Sequence, residues 1–328
     1  MQQHGVDNSS VGAKLKQIYW FQFLQQLTGV KNMSNTNKTI VVLGATGQQG
    51  IGVVNALKTN TDFTVRAITR SPENYQGQAG QVVAANLNDV DSLSKAFEGA
   101  YGVFVVTNFW ETGTDEKAQA SNAIDAAKSA GVSHFIWSTL PDVKNISNGT
   151  YNVPHFTDKA QIDSLVKQAS FKYHTYVVAS FFYQNFLTNL APQKQPDGTM
   201  GWTLPIASDS KSIHMADISE LGHAVAGSFL NPEIAGDGQY LPIVGEILSF
   251  DKILKTLERQ GKHFTYQEVP KDVFGTFFPG AEELAQMFGY FQDHTYLGGL
   301  FSETDYFIEQ KVSGRIPTNF ADWATKNL

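Results

Sequence analysis

The 328-residue sequence contains no cysteine, which excludes disulfides, thiol nucleophiles and cysteine-ligated metals and is compatible with a cytosolic setting. Charge is sparse as well: Asp, Glu, Lys and Arg together make up 17% of the residues, with a net charge of −7 and a pI near 5.6. That acidic balance argues against electrostatic binding to nucleic acid or to an anionic membrane surface. No apolar run approaches the roughly 20 residues needed to cross a bilayer. Hydrophobic residues, by contrast, make up 42% of the chain, enough to bury a large core in one or two domains.

Residues 1–38 carry one acid, Asp7, against Lys14, Lys16, Lys31 and Lys38, and hold the aromatic cluster Tyr19, Trp20, Phe21 and Phe23. Residues 11–27 have the pattern of a basic amphipathic helix, either a targeting segment or a surface helix. The plainer reading is preferred: residues 1–38 are a flexible N-terminal extension.

Composition changes at Thr39. Ile40, Val41, Val42 and Leu43 form an unbroken apolar run, as expected of a strand buried on both faces of a parallel sheet. Gly44, Gly47 and Gly50 follow at once, and Ile51, Val54 and Leu57 continue their stripe at helical spacing. Strand, glycine turn and helix in this order make the phosphate-binding start of a dinucleotide fold. Gly44 turns the chain off the strand, Gly47 admits a pyrophosphate to the backbone, and Gly50 lets the helix pack closely on the sheet. The helix start then offers free N–H groups and a positive dipole end. The spacing G-x-x-G-x-x-G is one residue longer than the G-x-G-x-x-G fingerprint and is weak evidence taken alone.

Further strands are expected over residues 63–69, 81–85, 101–107, 133–137 and 173–179, the last closing the sheet. Helices fall between them, one with the stripe Val90, Leu93, Ala96 and Phe97 and one over residues 114–130. The alternation predicts an α/β fold, a Rossmann doubly wound parallel sheet with its ligand at the carboxyl edge. Residues 39–180 form the dinucleotide-binding Rossmann domain in this reading, its sheet partly completed by later segments. Residues 181–328 form a smaller C-terminal α/β substrate or partner region. Within that region a hairpin strand is expected over 200–206, helices open at Asp217 and at Ser249 or Asp251, and one or two aromatic-rich helices cover 272–291. Those aromatics either pack as core, the preferred reading, or expose a groove for a partner.

An NAD site expects an acid near the end of the second strand, to accept from the ribose 2′-hydroxyl. Between Asp62 and Glu73 the only charged residues are Arg66 and Arg70. Arg70 therefore offers a guanidinium to a 2′-phosphate, which favours NADP. Asn86 and Leu87 lie where an adenine ring could rest, and Asn185, in the connection after the 173–179 strand, is a further candidate. Chemistry belongs at the strand ends, where two places qualify. One is Ser138 and Thr139, whose hydroxyls would face a substrate carbonyl; the other is the stretch from His155 to Lys159, which opens a helix through Ile162, Leu165 and Val166.

Glycines, hydroxyls and downstream lysine together resemble the short-chain dehydrogenase/reductase superfamily, whose active members use Ser and Tyr-x-x-x-Lys. In that pattern lysine holds the nicotinamide ribose and lowers the tyrosine pKa, and tyrosine delivers the proton that accompanies hydride. Lys159 stands at the lysine position and His155 at the tyrosine position, which makes these two the candidate catalytic residues. A histidine can donate a proton, but loss of the tyrosine weakens the case for ordinary ketone reduction. Together with the stretches 106–111, 190–198 and 278–288, the pattern resembles the NmrA-like family from about residue 38 onward.

The resemblance implies an NADP(H)-binding protein related to reductases but often working as a regulator. The fungal namesake is a transcriptional co-repressor acting through a protein partner, and animal relatives respond to the NADPH/NADP ratio. Carried over residue by residue, it implies Gly44, Thr46, Gly47, Gln48, Gln49 and Gly50 as the pyrophosphate loop. Arg70 becomes the 2′-phosphate contact, Lys159 the ribose contact, and Thr107 and Asn108 the neighbours of the nicotinamide. Two functions stay open: a redox-sensing regulator acting through a protein partner such as a transcription regulator, or an NADPH-dependent reductase of quinones or related conjugated carbonyl compounds. A homodimer, and a nuclear as well as a cytoplasmic location, are compatible with either. The polar run over residues 144–150 reads as a mobile loop near the site.

Overall fold

Unbroken apolar runs with no polar alternation form the centre of a parallel sheet, because helices cover both of its faces. The computed structural model describes residues 37–60 and 62–328, so the expected helix over 11–27 lies outside the described residues. The first half alternates strand and helix: β1 (Lys38–Val42), α1 (Gln48–Lys58), β2 (Phe63–Thr69), β3 (Gln81–Ala84), α2 (Val90–Phe97), β4 (Gly102–Val105), α3 (Glu116–Ser129), β5 (His134–Thr139), the short α4 (Val143–Ile146), α5 (Pro154–Gln168) and β6 (Tyr173–Val178). The second half holds β7 (Phe181–Phe182), β8 (Gln193–Lys194), β9 (Met200–Leu204), β10 (Ile213–Ala216), α6 (Ile218–Leu230), α7 (Pro232–Ala235), β11 (Asp237–Pro242), β12 (Glu246–Leu248), α8 (Phe250–Arg259), β13 (Thr265–Glu268), α9 (Lys271–Phe274), α10 (Ala281–His294), α11 (Glu303–Ser313) and α12 (Phe320–Asn327).

Seven strands form the main sheet in the order β11-β6-β5-β4-β1-β2-β3, and every pairing is parallel. This is the Rossmann doubly wound order with one strand added outside β6. Residues 173–179 therefore do not close the sheet; β11 does. β6 ends in four buried residues and needs a partner for its outer edge, which β11 supplies after the crossover through α6 and α7.

On one face α1 and α6 bury Val53, Val54, Leu57, Leu221, Val225 and Phe229. On the other, α2, α3 and α5 bury Leu93, Ala123, Ile124, Ile162 and Val166. Ile51, expected on the buried stripe of α1, is 44% exposed. The buried face centres on Gly50 and Leu57 and includes Val53 and Val54, and Ile51 lies about 100° round the helix from Gly50.

The third core joins β9, β10, α8, α10 and α12 through Trp202, Met215, Phe250, Phe291, Phe320 and Trp323. Most of the aromatics of 272–291 are core: Phe274, Phe288, Tyr290 and Phe291 are 4% exposed or less. Phe277 and Phe278, in the connection between α9 and α10, stay on the surface at 47% and 46%. Of the polar run expected as a mobile loop, residues 144–146 belong to α4, capped by Asp142 accepting from the Asn145 amide at 3.1 Å, and Asn148, Gly149 and Thr150 form an exposed turn. Buried Tyr151 and Val153 follow, the Tyr151 hydroxyl donating to Asp293. Among the described residues no helix is long and apolar enough to cross a membrane.

The approach of α1 to the turn after β1 is tight at Gly50, where an added Cβ would stand 2.1 Å from the Gly44 carbonyl oxygen. Gly50→Ala must push α1 off β1, and urea unfolding should show a loss of at least about 1–3 kcal/mol, the usual range for an overpacked core. An unchanged midpoint would mean that α1 shifts freely.

Candidate functional site

The chain leaves β1 through Leu43 and turns at Gly44, whose φ of +65° suits glycine. The Gly47 N–H donates to the Gly44 carbonyl at 2.9 Å and closes the turn. Val106 lies over it: an added Cβ at Gly44 would meet Val106 Cγ1 at 2.7 Å. Gly47 is the N-cap of α1, and no side chain caps the helix. The amides of its first turn therefore have no intrahelical acceptor, and their dipole end faces outward.

These groups open on a cleft of about 700 Å³ at the carboxyl edge of the sheet, within the usual ligand-site range of about 300–1,000 Å³. Its floor is Gly44, Thr46, Gly47, Gln48, Gln49 and Gly50; one side is Arg70, Asn86 and Leu87, and the other is Thr107, Asn108, Trp110 and Glu111. The C-terminal half adds Phe182, Asn185, Thr188, Asn189 and Ile218. Every candidate cofactor residue except Lys159 thus lies on the wall of one cleft.

Each wall is held from behind. Asn122 donates to the Leu87 carbonyl at 2.9 Å and Gln119 to the Asn88 side chain at 3.2 Å, which fixes the turn after β3. Asp89 caps α2, accepting from the Asp91 and Ser92 amides. Gln184 bridges to the start of α6, donating to Asp217 Oδ1 at 3.0 Å and accepting from the Ile218 amide at 3.1 Å. Ser138 was expected to face a substrate. It is 1% exposed and its hydroxyl donates to Gln49 Oε1 at 2.7 Å, so it braces the glycine loop instead. Thr139 is equally buried, because β5 runs two residues further than the apolar run alone suggests.

Lys159 stands one layer behind the cleft. Its ammonium donates to Thr107 O and Thr107 Oγ1, both at 2.9 Å, and to Glu116, while the Thr107 hydroxyl donates to Glu116 Oε1 at 2.5 Å. The lysine and glutamate side chains are 10% and 3% exposed. Burial pulls Lys159 below the ordinary lysine range, with Glu116 and Asp158 opposing it. All three ammonium hydrogens have protein acceptors, and Thr107 carries the contact to the cleft.

His155 opens α5 with its ring against Trp110 and Phe109, centroids 5.0 and 5.8 Å away. Its Nδ1 lies 2.5 Å from Glu283 Oε1 of α10, and its backbone N–H donates to the same oxygen at 3.3 Å. Burial alone would raise the Glu283 carboxyl, but the hydrogen bond and charge of His155 outweigh it and hold the group below its usual value. The cleft and His155 share Trp110. Arg70 Nη1 pairs with Glu111 across the mouth, the two side chains 65% and 41% exposed.

Glu116 was missed by sequence reasoning, and Glu283 was seen only within the 278–288 stretch, without its partner. In the chain Glu116 reads as a first-turn acid that complements the helix dipole, and Glu283 lies 128 residues from its histidine. Glu111 was seen only within the 106–111 stretch. Thr188 and Asn189 carry no local signal.

A second cavity of about 800 Å³ shares no residue with the first and is lined by Asp163, Lys167, Tyr176, Tyr240 and Phe301, among others. Tyr240 donates to Asp163 Oδ2 at 2.9 Å. Burial pushes the Asp163 carboxyl from 3.8 up to about 7, against the opposing hydrogen bonds of Thr139, Tyr240 and Trp137.

The fold and the cleft together define a Rossmann-type α/β protein with its ligand site at the carboxyl edge of the sheet. The chain belongs to the NmrA-like family, whose profile matches residues 36–324. It is 28% identical over 270 residues to an NmrA-like family domain-containing protein of Dictyostelium discoideum, covering 79% of this chain and 88% of that one. It is 29% identical over 292 residues to the NmrA-like family domain-containing oxidoreductase hkm9 of Aspergillus hancockii, covering 82% and 86%. In fold it is similar to NmrA, a negative transcriptional regulator solved in complex with NADP, with a TM-score of 0.71, 24% identity and coverage of 89% and 95%. It is also similar to the NADPH-dependent quinone oxidoreductase QOR2 of Escherichia coli solved with NADPH, with a TM-score of 0.70, 23% identity and coverage of 88% and 99%.

Two outcomes follow from the buried charges. Lys159→Met leaves Glu116 buried without its cation and should cost about 3–5 kcal/mol in urea unfolding, with Lys159→Met/Glu116→Gln recovering most of the loss. A single variant as stable as wild type would show that the pair is solvated. Asp163 takes up a proton on folding, so its stabilising contribution is full below pH 3.8, falls as pH rises towards about 7 and is level beyond that. Unfolding free energies from pH 4 to 8 should fall less steeply in Asp163→Asn. Identical slopes would mean that the native carboxyl is ionised throughout.

Proposed function

We propose that this NmrA-like protein binds NADP(H) and acts as a redox-responsive regulator, its affinity for a protein partner following the state of the bound cofactor. The observation that carries the reading is the glycine turn: a Cβ at Gly50 would fill the space beneath it, and the uncapped start of α1 faces a cleft with a guanidinium at its ribose end. Thr46, Gly47, Gln48 and Gln49 would hold the pyrophosphate, Arg70 the 2′-phosphate, Asn86 and Leu87 the adenosine, and Thr107, Asn108 and Asn185 the nicotinamide half. The bound group would supply hydride chemistry.

Regulation is preferred over turnover because the groups that deliver protons in the superfamily pattern are engaged elsewhere. His155 replaces the tyrosine and is tied to Glu283, and the Lys159 ammonium is spent on Thr107 and Glu116. The alternative, an NADPH-dependent reductase of quinones or related conjugated carbonyls, draws support from relatives named as oxidoreductases and from the fold shared with QOR2. In that reading His155, held by Glu283 beside Trp110, is the proton source and Lys159 orders Thr107.

The readings separate by mixing the protein with NADPH and a panel of quinones. The regulator leaves NADPH unoxidised above background while binding it by calorimetry; sustained oxidation lost in His155→Phe establishes the reductase. Absence of binding of either NADPH or NADP rejects both. Arg70→Ala should weaken NADP by about one to two decades more than NAD, the loss expected for charge-assisted hydrogen bonds, and equal weakening of both would give Arg70 another role.

A further inference from the structure

A Rossmann site that reads NAD places an acid at the end of the second strand, and here that position offers Arg70 instead. The acid is nonetheless present, brought from another part of the chain. Glu111, in the connection between β4 and α3, lines the same cleft and pairs directly with Arg70 Nη1. Its backbone is placed without Arg70. The Glu111 amide donates to the Asn108 carbonyl at 3.2 Å and the Thr114 amide to the Glu111 carbonyl at 3.1 Å, so successive turns shape the segment. Trp110 beside it is seated against the His155 ring at 5.0 Å.

We propose that Arg70 and Glu111 form a two-way cofactor selector, in which Glu111 accepts from the 2′-hydroxyl of NAD and competes with the 2′-phosphate of NADP for Arg70. The proposal rests on the reading of the cleft as a dinucleotide site and adds a residue that sets which dinucleotide it holds. Only one guanidinium nitrogen meets Glu111. A phosphate, with three oxygens and a greater charge, takes the guanidinium in a two-pronged geometry that a single Nη1 contact does not match. The pair is exposed on both sides, and such a pair shifts an equilibrium by no more than about fivefold, so exchange is easy. With the phosphate on Arg70, the contact between Arg70 and Glu111 is given up, and that loss offsets part of the gain. With a free 2′-hydroxyl, the same carboxylate is an acceptor already in position and Arg70 stays neutralised.

The test is calorimetric titration of the whole chain with NADP and with NAD, in wild type, Glu111→Ala, Arg70→Ala and the double variant. Glu111→Ala should tighten NADP by about twofold to fivefold and weaken NAD by a similar factor, the scale of one exposed charge contact on each cofactor. In the Arg70→Ala background the NADP gain should fall below about twofold, because the competition it relieves is gone. Adenosine 2′,5′-bisphosphate, which carries the phosphate without the nicotinamide, should follow NADP. Changes of the same sign and size for both dinucleotides, or an NADP gain undiminished by Arg70→Ala, overturn the selector while leaving the cleft's assignment intact. A wild-type protein that binds neither dinucleotide overturns that assignment, and the selector falls with it.

Discussion

The cleft depends on one close approach: α1 lies on the turn after β1 with no side chain between Gly50 and the Gly44 carbonyl. Backbone against backbone is the only way to bring a helix start this near the end of a central strand, and it aims the uncapped amides into the crevice. A second approach of the same kind sets the opposite wall. An added Cβ at Gly222 of α6 would stand 2.3 Å from the Gly52 carbonyl of α1, so α6 also sits directly on α1 and delivers Ile218 to the cleft. Ser138 and Gln184 then brace the two walls with hydrogen bonds. Position is thus set by small residues, and orientation by polar side chains that hold one another.

Charge is organised by burial. Lys159 and Glu116 are paired in the interior, where removing one partner is costly and the contact is effectively permanent. Arg70 and Glu111 are paired at the mouth, where water screens them and a ligand can replace either. His155 and Glu283 lie between these extremes, with side chains 11% and 22% exposed. The interior pair stiffens Thr107, and the outer pair is free to recognise. The lysine that reads as catalytic in the sequence is bonded in the structure to Thr107 and Glu116.

The strands on either side of the glycine turn were legible because their apolar runs are continuous and the turn residues are local; β2 was read at residues 63–69, as observed. β11 was not legible. Asp237, Gly238 and Gln239 read as a turn and Pro242 ends the run, and only the exposed edge of β6 makes a strand of it. The cleft wall was largely legible for the same local reason, since strand ends in this fold converge on one edge. Its ionic partners were not, because Glu116 lies 43 residues from Lys159 and Glu283 128 residues from His155. Nothing in spacing or periodicity pairs such residues; the packing of α3 and α10 does.

The segment 108–111 connects the two halves. It lines the cleft through Asn108, Trp110 and Glu111, and it meets His155 through Phe109 and Trp110. His155 in turn is held by α10, which follows the exposed Phe277 and Phe278. A protein that reports cofactor state to a partner needs a physical connection of this kind, in which a change at the cleft mouth biases a surface element some distance away. The reductase reading uses the same connection differently, as a route from α10 to a proton donor. The two functions share one set of contacts, and they differ in whether the His155 ring exchanges a proton with a substrate or only transmits displacement of Trp110.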